Sequence, residues 1–497
     1  MTPSRLFLAR ERWASAVAGA LLPLSFAPFN FYPLAVPLIA VLIFLCDKVE
    51  AREAAWRGFY FGFAAFVTGT YWLYISIHVF GRAPVIVAFI LMLGLFALMA
   101  VYFALSAYCA KWLSGQSRIL RWCLIWPAVL TLFEWLRGIL FSGFPWLSLG
   151  YGQIEGPLSA WAPVAGVYGV SMLTALLAGS ALTVFRGLRS DRVVAAALIG
   201  VIAISTWLLS GRAWTEPAGA DLRISMIQGS ISQDRKWLPE QLVPTMQLYR
   251  DLTLGLPDTD LVLWPEVAIP SPVFRVQSYL EMVSEEAVAR DMQIYLGIQT
   301  LDVKRREYRN SLIGLGKHAD QYHKRHLVPF GEFFPVPDFA RRWMRGAGLP
   351  SMDTARGLDN QRPLTLGAIR LAPTICYEDA YGAEQLSFFP EANVLINVSN
   401  DAWFGESIAP HQHLQIARMR ALETGRYMLR ATNTGITAII SPTGNVVDRA
   451  PQFEMHVLSG VIQPYGGSTP YIRWGNLPVL LICLVLIGTG GYLARRD

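Results

Sequence analysis

The chain has 497 residues, of which 53% are hydrophobic and 16% charged, with a formal net charge of +6. This length predicts two or more domains, and the excess of apolar residues excludes an ordinary soluble protein. The basic residues form no stripe with interleaved aromatic residues, which argues against nucleic acid as a partner.

The apolar residues are concentrated before residue 212 and again at the end of the chain. Most of these runs reach the ~20 residues that a helix needs to cross the hydrocarbon core of a bilayer. They predict a polytopic α-helical membrane domain with seven transmembrane helices in 1–212 and an eighth in 470–497. Met1 is followed by basic residues and an apolar run without a clear cleavage site, so we interpret that run as a retained helix. The predicted spans are 13–28, 31–47, 56–78, 84–112, 121–141, 162–185, 193–210 and 477–494.

The basic residues between these runs predict the orientation of the chain. With the N-terminus inside, 14 basic residues fall on the inner side and two, Arg82 and Arg137, on the outer side. Because cytoplasmic loops are enriched in Lys and Arg, we expect both termini in the cytoplasm and the segment 220–465 outside the cytoplasmic membrane. The inner residues are Arg5, Arg10, Arg12, Lys48, Arg52, Arg57, Lys111, Arg118, Arg121, Arg186, Arg189, Arg192, Arg495 and Arg496.

The segment 220–465 has the pattern of an α/β domain. Strand-like runs alternate with helical stretches at 239–254, 273–291 and 412–425, and such sheets gather their chemistry at the carboxyl ends of strands. The predicted strands are Leu222–Ile227, Leu261–Trp264, Ile294–Ile298, Ser311–Leu315, Ile369–Ile375, Val394–Val398, Thr437–Ile440 and Leu458–Ile462.

Three strand ends in this segment carry reactive groups: Glu266, Lys324 and Cys376. Cys376 is the only cysteine outside the apolar runs, because Cys46, Cys109, Cys123 and Cys483 lie within them. It is a candidate nucleophile, although buried inert thiols are common. A thiol needs a base near neutral pH, and Glu266 is the candidate. Lys324 and the backbone N–H after the nucleophile are candidates to stabilise an oxyanion.

The motifs around these residues resemble those of a known superfamily. They are Trp264-Pro265-Glu266, the run from Tyr322 to Glu332, and Cys376-Tyr377-Glu378-Asp379, with further matches at 397–405 and 418–423. In order and approximate spacing they resemble the Glu–Lys–Cys triad of the nitrilase (carbon–nitrogen hydrolase) superfamily. Together with the predicted helices, they resemble its membrane-embedded branch, the apolipoprotein N-acyltransferases.

The resemblance implies a four-layer α-β-β-α sandwich on the periplasmic face of a bacterial inner membrane. It implies transfer of an acyl chain from a phospholipid, typically phosphatidylethanolamine, through a Cys376 thioester to the N-terminal diacylglyceryl-cysteine of a lipoprotein, the last step of lipoprotein maturation. No cofactor or metal is expected, and the protein is expected to be a monomer. Carried over by motif, Glu332 is a second essential carboxylate, Tyr377 and Glu378 follow the nucleophile, and Trp237 is a functional tryptophan.

Several features have two interpretations at this point. The segment 333–345 is an interfacial arm that binds lipid phosphates or a loop packed on its own domain. Glu134 and Arg137 are a functional intramembrane pair or an interfacial ion pair that only orients a helix. Glu332 and Glu378 take part in the chemistry or only neutralise a buried Lys324.

Two rival functions also fit parts of the sequence. A membrane-tethered amidase of the nitrilase type would use the same triad, but a small soluble substrate does not require eight spans. A lipid- or lipoprotein-binding module without activity would not need an intact Glu266, Lys324 and Cys376.

Overall fold

A computed structural model describes residues 3–494, except 114, 116, 304–306, 334–338, 340, 341 and 343–353; side chains are described from Leu8 to Leu493. The chain forms two compact units. The helical unit comprises residues 1–214, 406–419 and 469–497, and the sandwich unit comprises residues 215–405 and 420–468. Most of the predicted arm at 333–345 lies outside the described residues.

Helices occupy each of the eight apolar runs. Within the described residues, three helices are long and apolar enough to cross a membrane: Val85–Trp112, Pro157–Arg186 (which includes a 3₁₀ turn) and Arg189–Ser210. Tyr32–Asp47 and Leu477–Leu493 are apolar but shorter, and eight spans therefore stay a prediction. The main helices are Pro3–Leu21, Ala35–Asp47, Ala51–Gly69, Val85–Trp112, Trp126–Ile139, Ala162–Arg186, Arg189–Ser210 and Leu477–Ala494, with the shorter Leu149–Gly152 and Pro470–Trp474.

Glycine allows close packing of the first helices. A methyl group at Gly19 would overlap the backbone carbonyl of Phe61, and one at Gly58 would overlap the carbonyl of Phe103. Small residues at such positions let helix backbones approach each other, which is how helices associate where no water drives them together.

Residues 406–419, which include the first turns of the helix Ala409–Thr424, belong to the helical unit. Gln412 anchors them there. Its Oε1 accepts hydrogen bonds from the indole N–H groups of Trp72 (3.1 Å) and Trp146 (2.7 Å), and its Nε2 donates to the Gly69 carbonyl at 3.0 Å. All three side chains are buried. One amide therefore pairs three buried polar groups that would otherwise lack partners.

Glu134 and Arg137 brace the loop that follows their helix. Arg137 donates to the carbonyl oxygens of Phe144 and Trp146, each at 2.6 Å. Glu134 accepts from the backbone N–H of Leu149 at 3.0 Å and from the Ser171 hydroxyl. These contacts favour a structural role for both residues.

The sandwich unit contains two six-stranded sheets and a two-stranded ribbon of β1 and β14. The first sheet has the order β13-β2-β3-β4-β5-β6, and the second has the order β12-β11-β10-β9-β8-β7. Strands β2, β3 and β4 run parallel, as do β8, β9 and β10. The strands are β1 Thr215–Pro217, β2 Leu222–Gln228, β3 Leu261–Pro272, β4 Gln293–Asp302, β5 Glu307–Leu315, β6 Gln321–His323, β7 Leu364–Leu366, β8 Ile369–Ile375, β9 Val394–Ser399, β10 Met428–Thr432, β11 Ala438–Ile440, β12 Val446–Arg449, β13 His456–Ile462 and β14 Tyr465–Gly467.

The two sheets pack face to face, with β10 against β2 and β3. Two helices, Pro239–Leu254 and Gln277–Ala289, lie on the first sheet. Trp264, Ile294 and Leu296 of the sheet form an apolar core with Tyr249 and Leu280 of the helices. Burial of each such side chain is worth about 1.5–3 kcal/mol, so this core holds the first halves of β3 and β4 against the two helices.

The eight predicted strands and the helix Pro239–Leu254 are confirmed, and several strands are longer than predicted. Further short helices are Gln233–Lys236 and Gly382–Gln385. Strand β10 was missing from the prediction because Arg430 interrupts its apolar pattern.

We predict that Gln412→Ala lowers the melting temperature of the detergent-solubilised protein, because it removes the partner of two buried indole N–H groups. Each buried group left unpaired costs about 1–3 kcal/mol. Thermal unfolding followed by tryptophan fluorescence measures the effect, with the exposed Gln277→Ala as control. Equal melting temperatures of the two variants would contradict this role of Gln412.

Candidate active site

Glu266 and Cys376 lie where the backbone geometry is unusual. The strand predicted to end at Glu266 continues to Pro272, so Glu266 lies within β3. Cys376 directly follows β8 and has a φ of +53°, a left-handed conformation that is rare for a residue with a side chain. Val267, next to Glu266, has a φ of +47°. Gly297 on β4 lies so close that a methyl group there would approach the Glu266 Cα to 2.6 Å. Such strain persists only where the surrounding structure fixes it, and it clusters at functional sites.

Lys324 directly follows β6 and joins two carboxylates. Its Nζ lies 2.9 Å from the Oε1 of Glu332 and 3.3 Å from the Oε1 of Glu266. The lysine is buried, with 1% of its surface exposed. Burial opposes its charge, but Glu332 and Glu266 outweigh that effect and raise the pKa of Lys324. The ammonium therefore stays charged at neutral pH.

Two asparagines orient the same carboxylates. Asn310 Nδ2 donates to the Oε1 of Glu266 at 2.7 Å and to the Oε1 of Glu332 at 3.2 Å. The backbone N–H of Asn400 donates to the other oxygen of Glu266 at 3.0 Å. Each oxygen of Glu266 thus has a fixed donor.

The Cys376 thiol belongs to the same electrostatic cluster. Burial raises its pKa well above the ordinary value, the negative charge of Glu266 raises it further, and Lys324 and a hydrogen bond with Ser399 lower it. Two carboxylates beside one ammonium leave net negative charge near the sulfur. These charges favour the neutral form of the thiol, so any reaction of this sulfur as a nucleophile would need a base to take its proton.

Glu378 joins the loop of Lys324 to the turn of Cys376. It is buried, and its Oε1 accepts from the backbone N–H groups of Arg325 (2.5 Å) and His326 (3.0 Å). Its Oε2 accepts from the N–H of Ile375 at 2.7 Å, and the Tyr322 hydroxyl donates to it at 2.9 Å. Burial raises the pKa of Glu378, while these N–H groups oppose the rise. Glu378 thus holds three backbone N–H groups, whereas Glu332 contacts the Lys324 ammonium directly and accepts from one backbone N–H, that of Val328, at 2.8 Å.

A buried ion network supports the nucleophile turn from β10. The guanidinium of Arg430 donates to Asp379 (3.0 Å) and Asp401 (2.9 Å), and also to Asn397 Oδ1 at 2.8 Å. Asn397 in turn donates to the carbonyl of Cys376 at 3.2 Å. Arg430 and both aspartates are fully buried, and removing one member would leave an uncompensated buried charge.

Tyr377 and Trp237 lie in different surroundings. Tyr377 is nearly buried and packs edge-on against Tyr381 at 5.1 Å and His326 at 6.0 Å. Trp237 is 48% exposed and follows the short helix that ends at Lys236. Among the described residues, no cluster of His, Cys, Asp and Glu has the arrangement of a metal site.

The sequence analysis missed Asn310 and Arg430 and assigned no function to Asn400. Asn310 lies inside β5 and Arg430 inside β10, where polar residues on otherwise buried strands are costly without a partner. That cost is a signal that could have identified both as members of a buried polar site.

The fold and the site define the class of the protein. Residues 223–471 match the family profile "Carbon-nitrogen hydrolase", and residues 18–180 match "Apolipoprotein N-acyltransferase N-terminal domain". The sandwich unit is thus a nitrilase-like domain, and it follows a helical N-terminal region.

Similarity over almost the full length specifies the family. An apolipoprotein N-acyltransferase of Methylococcus capsulatus is 42% identical over 96% of this chain and 95% of its own length. Proteins with the same name from Pseudomonas putida and Coxiella burnetii are 39% and 38% identical over 95% of this chain and 94% and 98% of their own lengths. The chain belongs to the apolipoprotein N-acyltransferase family.

Substitution of Glu378 and substitution of Glu332 are expected to have different effects on stability and activity. Glu378→Gln places an amide against backbone N–H groups and should cost about 2–4 kcal/mol of stability. Glu332→Gln should leave the melting temperature nearly unchanged but reduce acyl transfer by about 100-fold, because Lys324 loses a counter-charge. Thermal unfolding and a transfer assay on both variants test this. A wild-type melting temperature for Glu378→Gln would contradict the assignment.

The neutral resting thiol predicts a steep pH dependence of alkylation. Only the thiolate reacts with iodoacetamide, so the rate at Cys376 should rise about tenfold per pH unit between pH 7 and 9. Peptide mass spectrometry separates Cys376 from the other four cysteines, and the iodoacetamide reaction of free cysteine is the control. A rate that is constant below pH 8 would indicate a preformed thiolate.

Proposed function

We propose that this protein transfers an acyl chain from a phospholipid to the α-amino group of a lipoprotein's N-terminal diacylglyceryl-cysteine, through a thioester on Cys376. The observation that carries the proposal is the cluster of buried Glu266 and Lys324 with half-buried Cys376 in a member of the apolipoprotein N-acyltransferase family. Glu266 is the general base, Lys324 the electrostatic stabiliser and Cys376 the nucleophile.

In the first half-reaction, the Cys376 sulfur attacks the ester carbonyl of the phospholipid and Glu266 takes the thiol proton. The proton moves within the cluster, so its net charge does not change, and negative charge moves to the carbonyl oxygen. Lys324 and the backbone N–H of Tyr377 stabilise that oxygen. The tetrahedral intermediate then expels the lysophospholipid alkoxide, which Glu266 protonates.

In the second half-reaction, the amine of the lipoprotein attacks the thioester. Glu266 takes a proton from the amine, and the C–S bond breaks. Glu266 then returns the proton to the sulfur as the amide forms. An amide is more stable than a thioester or an ester, so the sequence needs no nucleotide. Fixed donors on both oxygens of Glu266 hold the base in place through both steps.

The remaining assignments follow from the contacts. Glu332 keeps Lys324 charged and aimed, Glu378 fixes the two loops, and the backbone of Tyr377 serves the oxyanion. Trp237 is exposed and is available to contact substrate. Phosphatidylethanolamine is the proposed donor, and the protein acts as a monomer.

For the membrane, we propose eight spans within 1–212 and 470–497, both termini in the cytoplasm, and the catalytic segment 220–465 in the periplasm. Both the donor and the acceptor's anchor reside in a bilayer, and mounting the site on spans raises their local concentration.

Labelling of single cysteines tests this topology in a background without the native cysteines. Val303→Cys, at an exposed sandwich position, should react in intact spheroplasts with an impermeant maleimide, and Lys48→Cys should react only after lysis. Labelling of Lys48→Cys in intact spheroplasts would contradict the orientation.

A transfer assay with phosphatidylethanolamine and a synthetic diacylated lipopeptide tests the function. Wild type should produce the triacylated peptide, and Cys376→Ser, Glu266→Gln and Lys324→Met should each reduce the rate by about 1,000-fold or more. Cys109→Ser is the matched control, and it should keep wild-type activity. Released ammonia or free fatty acid without an acyl-amide product would favour the amidase, and full activity of Cys376→Ser would favour a role in binding.

A further inference from the structure

Lys236 is a buried cation that the proposed reaction does not use. It ends the short helix Gln233–Lys236, and 1% of its surface is exposed. Its Nζ donates to the backbone carbonyl oxygen of Glu266 at 3.2 Å. In the described part of the chain, no carboxylate forms an ion pair with it, unlike Lys324.

This arrangement is unfavourable for stability. Burial lowers the pKa of Lys236 to about 8, and the negative charge of Glu266 opposes the decrease. Among the described residues, Glu266 is the ionisable group whose charge affects the pKa of this ammonium. Because the pKa is lower in the folded protein than in the unfolded chain, the penalty is present at neutral pH and disappears as the pH rises from 8 to 10. An apolar side chain of the same length would avoid this penalty.

The carbonyl that Lys236 contacts lies at the irregular part of β3. The register of β3 with β4 shifts between Trp264 and Ile269, so the strand leaves the regular ladder around Glu266. Val267 then adopts its left-handed conformation, and Gly297 leaves the Glu266 backbone no room to move toward β4. The hydrogen bond from Lys236 to the Glu266 carbonyl is a further contact that holds the Glu266–Val267 peptide.

The same short helix is also linked to the carboxylate of Glu266 through Asn400. Gln233 Oε1 accepts from the side chain of Asn400 at 2.9 Å, and the backbone N–H of Asn400 donates to the Glu266 carboxylate at 3.0 Å. Asn433 holds Asn400 at 3.0 Å and the carbonyl of Ile231 at 2.7 Å. The segment 231–236 is therefore linked to both the carbonyl and the carboxylate of Glu266.

We propose that Lys236 is a positioning residue for the reaction: its charged ammonium fixes the peptide of Glu266 and thereby aims the carboxylate at Lys324 and Cys376. This inference rests on the proposed role of Glu266 as general base. It also explains why the exposed Trp237 directly follows a buried lysine. The short helix that ends at Lys236 both positions Trp237 and contacts Glu266, the proposed base.

The test is Lys236→Met in full-length protein, with its exposed neighbour Arg235→Met as matched control. Transfer from phosphatidylethanolamine to a diacylated lipopeptide is measured from pH 6 to 9.5, together with the melting temperature at pH 7. We expect kcat of Lys236→Met to fall about tenfold or more at pH 7, with KM for phospholipid changed less than about threefold. Its melting temperature should equal or exceed that of wild type, because a buried charge is removed.

The pH profile separates positioning from mere packing. Wild-type kcat should decline above pH 8 as Lys236 loses its proton, and Lys236→Met should lack this decline. Lys236→Gln keeps an N–H donor without the charge, and it should lack the decline as well. A lower melting temperature with an unchanged profile would show a structural role, and wild-type kcat in Lys236→Met would also overturn the proposal.

Glu266→Gln, measured in parallel, distinguishes the two levels of inference. If Glu266→Gln keeps transfer activity, the proposed base is wrong, and the role of Lys236 falls with it. If Glu266→Gln is inactive while Lys236→Met behaves as wild type, only the positioning role is wrong.

Discussion

The site depends on one buried ammonium held between two carboxylates. The Lys324 ammonium lies within 3.3 Å of the carboxylates of Glu266 and Glu332, and the lysine itself is 1% exposed. Removing Lys324 would leave two neighbouring carboxylates without compensation, whereas removing Glu332 would leave the pair of Lys324 and Glu266. The same balance leaves net negative charge beside Cys376, which keeps the thiol neutral until an electrophile draws electrons from the sulfur. The charges in the cluster thus fix the positions of the three side chains and favour the protonated form of the Cys376 thiol.

The rest of the sandwich unit serves to bring these groups together from the irregular part of β3 and from the ends of β6 and β8. Glu378 connects the Lys324 loop with the Cys376 turn through backbone N–H groups. Arg430 supports the same turn from β10 through Asp379 and Asn397. Both are buried polar networks in which each connection constrains a backbone rather than a substrate. Such networks add little net stability, but they specify one arrangement of the loops.

The sequence predicted the secondary-structure elements better than the side-chain contacts between them. Apolar runs predicted the strand that ends before Cys376 and the start of the strand that carries Glu266, because core burial determines where those strands lie. They did not predict that β3 continues past Glu266 to Pro272. The position of 406–419 could not be predicted, since the pairing of Gln412 with Trp72 and Trp146 joins residues far apart in the chain. Strand β10 was not predicted for a related reason. Its Arg430 is paired with Asp379 and Asp401, which come close to it only after the sheet has formed. The motifs do not distinguish the roles of Glu332 and Glu378. The two roles differ because Glu332 pairs with the Lys324 ammonium, whereas Glu378 forms no ion pair with that ammonium and accepts from three backbone N–H groups.

The central claim is that the acyl chain rests on Cys376 between donor and acceptor. Intact-protein mass spectrometry after incubation with phosphatidylethanolamine alone tests it most directly. The account predicts a mass increase of one acyl chain on Cys376 that hydroxylamine removes and that disappears when a diacylated lipopeptide is added. An unmodified Cys376, under conditions in which the same preparation completes acyl transfer, would contradict the account.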